Sequence, residues 1–236
     1  MTLTKFHIIN AFSQQNGFIL KKSSETVDIP DLEDNLTRAS YNDFTEYLAA
    51  ENQFLATIQN SVIINETTSF NRYARNNKSS PYVDSENLNA SFEFVPDEEE
   101  IRGGVLLVHG LTDSPYHLKA IGEIFSENGF YVIGLRLPGH GTVPGGLLNV
   151  TWEDWYSAVK FGARMVLGKI ENRKDSKFYV GGFSTGGALT LRYFLETSSE
   201  KLKVSTVEKH RVPDKLLLLS PAIALAFPSQ NKDHEF

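Results

Sequence analysis

A serine framed by glycines, Gly182-Phe183-Ser184-Thr185-Gly186, is the place in this chain where residue type and spacing most plainly suit chemistry. In a G-x-S-x-G pattern the serine occupies a very sharp strand-to-helix turn. The flanking positions, Gly182 and Gly186, come too close to neighbouring backbone to carry a Cβ. The turn lifts the hydroxyl clear of the sheet, at the positive N-terminus of a helix. That placement suits a nucleophile for acyl transfer. Alone the pattern is weak, since a chain with 17 glycines in 236 residues produces it by chance in about one case in ten. Its surroundings strengthen it. KFYVG before it reads as an apolar strand, and TGGALTLRYFL after it reads as a helix.

An acyl-transfer serine needs backbone N–H donors for the oxyanion that develops on the substrate. One would come from the residue after the serine, Thr185. The other would come from a loop after an earlier strand. His109-Gly110 follows the strand VLLV, which makes Leu111 the expected second donor. His109 itself reads as a buried structural histidine bonding the loop backbone. A third glycine-rich turn, Leu137-Pro138-Gly139-His140-Gly141-Thr142, follows another strand and faces the same sheet edge. Ligand sites of parallel sheets lie outside that edge. His140 reads as a structural loop residue, and Pro144, Trp152 and Trp155 read as packing.

Composition removes several alternatives. There is no cysteine, which excludes thiolate metal sites, disulfide scaffolds and cysteine nucleophiles. No ligand cluster points to a metal, and no motif points to a cofactor. The net charge is -6, with 23 basic and 29 acidic side chains. A nucleic-acid binder would carry a basic face, and none is evident. No apolar run reaches the length of a membrane span. The N-terminus is too polar for a secretory signal, so the expected location is cytoplasmic. The N-x-[ST] sequons, those at Asn35, Asn65, Asn89 and Asn149 among them, read as chance.

The elements that must hold these motifs follow from periodicity. Residues 1–80 are polar and read as a mostly helical extension packed on the domain behind it, in preference to a separate functional module. Within it Tyr41, Phe44, Leu48, Leu55, Ile58 and Val62 recur at helical spacing, which predicts a helix from about Asp43 to Ile63. Residues 71–81 read as a linker. From residue 81 to 236 the pattern is that of an α/β core. SFEFVP predicts an edge strand, and PDEEE a solvated turn. GGVLLV, FYVIGL, KFYVGG and KLLLLS predict buried strands. Ser114 is placed to cap a helix with Pro115 at its first position, and Thr151 with Asp154 to cap another. Apolar strands alternating with helices predict a parallel sheet covered on both faces.

Taken together, HGLTDSP, LPGHGTVP followed by W-x-x-W, GFSTGG and LLLLSPAI resemble the α/β-hydrolase fold. They are most similar to its carboxylesterase and monoacylglycerol-lipase branch, also described as serine-aminopeptidase-like hydrolases. The resemblance covers about residues 90–225 and implies hydrolysis of an acyl ester through a serine acyl-enzyme. It maps the nucleophile onto Ser184 and the oxyanion donors onto Leu111 and Thr185. The implied partner is a small acyl-ester substrate.

The family's triad runs serine, acid, histidine along the chain. After Ser184 come one clear strand and two histidines, His210 before that strand and His234 in the terminal QNKDHEF. Neither follows a strand of its own, so triad acid and base remain unassigned. The expectation is a sheet lacking its last two strands, with Leu216 to Leu219 at an edge open to self-association. Two readings of function stand: a serine carboxylesterase or lipase, and a non-catalytic remnant or interaction module of the same fold.

Overall fold

The computed structural model describes residues 41, 43–58, 87–142, 144–148, 150–199 and 211–223. Expectations for residues 1–40, Val62, the 71–81 linker, His210 and His234 lie outside them. Five strands form one sheet: β1 (Phe92–Phe94), β2 (Gly103–Val108), β3 (Phe130–Leu135), β4 (Lys177–Phe183) and β5 (Lys215–Leu219). Their order is β1-β3-β2-β4-β5. All neighbours are parallel except β1 with β3. Among the described residues β5 pairs only with β4, and Leu217 is partly exposed there.

Alternation along the strands decides which helix covers which face. Leu106, Val108, Ile133 and Val180 point to one side, into a core shared with α3 (Trp152–Ile170) and α4 (Thr185–Ser198). Val105, Leu107 and Val132 point to the other, against Leu118 and α2 (Lys119–Glu127). Helices therefore lie on both faces. Thr151 opens α3 with the expected capping box: its hydroxyl accepts from the Asp154 N–H, and the Asp154 carboxylate accepts from the Thr151 N–H.

Three findings differ from, or add to, the sequence reading. Ser114 does not cap through its side chain. A 3-10 turn, Pro115–Leu118, precedes α2, and the His117 N–H goes to the Ser114 carbonyl instead. The acidic run is exposed as expected, but Glu98 accepts from both Lys169 and Arg173, which ties that turn to α3. Finally, α1 (Phe44–Ile58) belongs to the main core. Phe44, Tyr47, Leu55 and Ile58 are almost fully buried, and the Tyr47 ring lies 4.8 Å from that of Phe161 on α3.

The strand register brings the three motifs together. Val108 pairs with Leu135 on one side and Gly182 on the other. The chain segments that begin at His109, Arg136 and Phe183 therefore leave the sheet at the same edge.

Candidate active site

Ser184 follows β4 and caps α4 with φ 51° and ψ −115°. A non-glycine residue in that region is strained by roughly 1–3 kcal/mol and persists only where its neighbours fix it. Here they do. The Ser184 N–H donates to the Leu219 carbonyl at 2.9 Å. Its own carbonyl accepts from the N–H groups of Ala188 and Ala222. Thr112 and Ser220, just past β2 and β5, also have positive φ, so strained backbone gathers at this sheet edge.

The two glycines of the motif are required by contact. A Cβ at Gly182 would stand 2.3 Å from the Gly186 carbonyl group, and one at Gly186 would stand 2.2 Å from the Val108 oxygen. Strand β4, the start of α4 and the end of β2 are that close together. A Cβ at Gly110 would meet the Ser184 Cβ at 3.2 Å, so the Gly110–Leu111 loop abuts the serine. Leu111 is half exposed, and Thr185 is the first residue of α4. Among the described residues the Ser184 hydroxyl has no hydrogen-bond partner.

His109 is fully buried. Its Nδ1 lies 2.8 Å from the Gly110 carbonyl, and its Nε2 lies 3.0 Å from the Leu137 nitrogen. A carbonyl only accepts and a peptide N–H only donates, so His109 is the neutral Nδ1–H tautomer and its lone pair is engaged. His140 packs edge-on to His109, with ring centroids 4.9 Å apart. Its Nδ1 donates to the Pro138 carbonyl, and its Nε2 is buried without a partner among the described residues. Burial pushes the His109 imidazole well below its ordinary range and His140 down to about 4.

These shifts make acid sensitivity a testable property. Unfolded, both histidines take up a proton near pH 6.5, whereas folded they stay neutral to lower pH. Between those limits the unfolded state holds more protons, so stability is complete above pH 6.5 and falls as pH drops toward 4. Each histidine contributes a slope of up to about 1.4 kcal/mol per pH unit. Urea unfolding at pH 7.5, 6 and 5 should show this loss. In His140→Gln the slope should flatten by about one proton. An unchanged slope would mean that His140 is not held neutral.

Residues 99–229, more than half of the chain, match the family described as serine aminopeptidase, S33. The chain belongs to that family. It thereby has the α/β-hydrolase fold. A thermostable monoacylglycerol lipase from Bacillus sp. (strain H-257) is 39% identical over 88 residues, 37% of this chain and 33% of the lipase. The chain thus matches about a third of that relative's length. A structure described under LipS and LipT, two metagenome-derived lipolytic enzymes, is 26% identical with TM-score 0.45, over 62% of this chain and 54% of that one. The Paleococcus ferrophilus monoacylglycerol lipase is 23% identical with TM-score 0.38, over 57% of this chain and 43% of that one.

Two described acids of this S33-family chain that follow Ser184 are engaged elsewhere. Asp214 accepts from the Phe178 N–H and from Arg211, at the start of β5 and so at the opposite edge of the sheet from Ser184. Glu196 accepts from the Tyr156 hydroxyl. The Asn89 side chain reaches the Gly141 carbonyl and is buried, so that sequon is not a free surface asparagine. A groove of about 460 Å³ runs along α4, lined by Ala188, Leu191, Leu195 and Ile223 with Arg192 and Glu196. No helix among the described residues is long and apolar enough to cross a membrane.

One group was missed from sequence. Arg136 and Glu51 are buried charges, paired at 3.0 Å across 85 residues of chain. A signal was available: Glu51 stands seven residues from Phe44 and from Ile58, on the apolar stripe of α1. An acid on a buried stripe calls for a buried partner.

Proposed function

We propose that this protein is a serine hydrolase of acyl esters, with Ser184 as nucleophile. The observation that carries this reading is the strained cap conformation of Ser184 with the Gly110 loop against its Cβ. In the proposed reaction Ser184 Oγ attacks the ester carbonyl while a base takes its proton. The N–H groups of Leu111 and Thr185 donate to the carbonyl oxygen as it becomes an oxyanion. The alcohol leaves with a proton and an acyl-serine remains. Water then attacks it, the carboxylic acid departs and the serine is restored. The name of the Bacillus relative supports an ester over other acyl derivatives.

A second reading, a non-catalytic member of the fold, is favoured by one observation. His109, which lies closest in sequence to the Gly110 loop, has its lone pair engaged, and Asp214 and Glu196 are engaged too. One assay separates the readings. The purified chain is offered p-nitrophenyl esters of two, four and eight carbons, aminoacyl p-nitroanilides and a fluorophosphonate probe. The expected result is ester turnover and probe labelling at Ser184, without anilide cleavage. Faster cleavage of an anilide than of any ester would make it an aminopeptidase. Neither turnover nor labelling would favour the non-catalytic reading.

A further inference from the structure

Glu51 and Arg136 are the buried charges that the proposed chemistry does not use. Glu51 accepts from the Tyr47 hydroxyl, the Ser91 N–H, the Ser91 hydroxyl and Arg136 Nε. The Arg136 N–H donates to Ser91 Oγ. The other arm of the guanidinium donates to the His140 carbonyl at 2.8 Å. The Phe54 ring of α1 lies against it.

We propose that Glu51 and Arg136 are positioning residues for the Ser184 site, through which α1 sets the geometry of the loops that receive substrate. This inference rests on the ester-hydrolase reading. Buried ion pairs are weak contributors to stability, since apolar residues of similar volume often serve as well. What a guanidinium supplies is direction, because its donors are fixed in one plane. Here one arm is held by α1 and the other fixes the carbonyl of His140. That clamps the turn of residues 137–142 from its far end. Its near end is Leu137, whose N–H donates to His109. His109 in turn donates to the Gly110 carbonyl. The neighbouring Leu111 N–H is the proposed oxyanion donor. An unbroken run of bonds, each 3.0 Å or shorter, therefore joins Glu51 to Arg136 and the 137–142 turn to His109 and Gly110. An oxyanion donor must sit within a few tenths of an ångström of its place.

The test compares the parent chain with Glu51→Leu, Arg136→Met and the double variant Glu51→Leu/Arg136→Met. Either single change leaves a buried charge unpaired and should destabilise strongly. The double variant removes both charges and should be more stable than either single variant, although the Ser91 N–H and the His140 carbonyl lose these partners. If the pair positions the loops, kcat for p-nitrophenyl butyrate in the double variant stays about 10- to 100-fold below the parent. KM should remain within about twofold, because the lost interaction is made in the transition state. Recovery of kcat together with stability would overturn the inference. If the parent shows no turnover dependent on Ser184, the hydrolase reading fails, and positioning is read from amide exchange instead. Exchange at Leu137 and His140, whose N–H groups donate to His109 and to the Leu137 carbonyl, should then be about tenfold faster in the double variant, with protection kept in the central strands. Unchanged exchange would overturn the inference as well. Should the double variant not fold, Glu51→Gln replaces it. It keeps the shape but sets an amide donor against the Ser91 N–H, and the same two readouts apply.

Discussion

Ser184→Ala is expected to remove ester hydrolysis almost completely, lowering kcat on the order of 10⁴- to 10⁶-fold, as loss of a serine nucleophile does elsewhere. In the proposed mechanism the hydroxyl is the group that forms the acyl intermediate, and its loss leaves nothing to carry the acyl group. Labelling by a fluorophosphonate should vanish with it. A second variant separates chemistry from folding. Ser184 holds φ 51°, a conformation that glycine adopts without strain. Ser184→Gly should therefore be equally inactive yet more stable by about 1 kcal/mol. Measured together, kcat and the urea midpoint should move in opposite directions. Activity retained by either variant would place the nucleophile elsewhere. A Ser184→Gly protein less stable than the parent would show that the serine side chain contributes more than its backbone costs.

Gly186→Ala is expected to prevent stable folding, a loss above about 4 kcal/mol. The added methyl would stand 2.2 Å from the Val108 oxygen and 2.4 Å from the His109 oxygen. Both are backbone atoms at the end of a central strand and cannot swing aside as a flexible side chain could. Relief would require α4 to move away from β2, which opens the core around Leu189 and Val108. Gly168→Ala is the matched control. It lies in α3, where a Cβ meets nothing within 4 Å. Alanine there should stabilise by about 0.5–1 kcal/mol through helix propensity. Soluble yield and thermal unfolding of the two variants give the comparison. A Gly186→Ala protein with the parent's midpoint would mean that the elbow is not packed as tightly as its contacts indicate.

The amino-acid sequence alone determined the order of elements and the sharp turn at Ser184. Those are local properties. Short β-branched apolar runs such as VLLV and YVIGL, bounded by glycines, read as buried strands, Thr151 and Asp154 are close enough to cap one another, and a glycine-serine-glycine turn needs only its own neighbours to be recognised. The edge position of β1 was also legible, because Phe92 and Phe94 alternate with polar residues. The tertiary structure decided what depends on meeting across distance. Periodicity placed Glu51 on the inner stripe of α1 but could not say that Arg136, 85 residues later, would meet it. It made His109 a structural residue but could not fix its tautomer, which depends on the N–H of Leu137, 28 residues away. The stripe of residues 44–58 predicted a helix packed on the domain behind it, but not which faces would meet, because that match lies in shape and not in motif. Their aromatic rings find the core only once α3 presents Phe161 to Tyr47. A sequence states which side of an element avoids water. Which groups satisfy one another there is settled only when the packed faces close and each buried polar atom must find its partner.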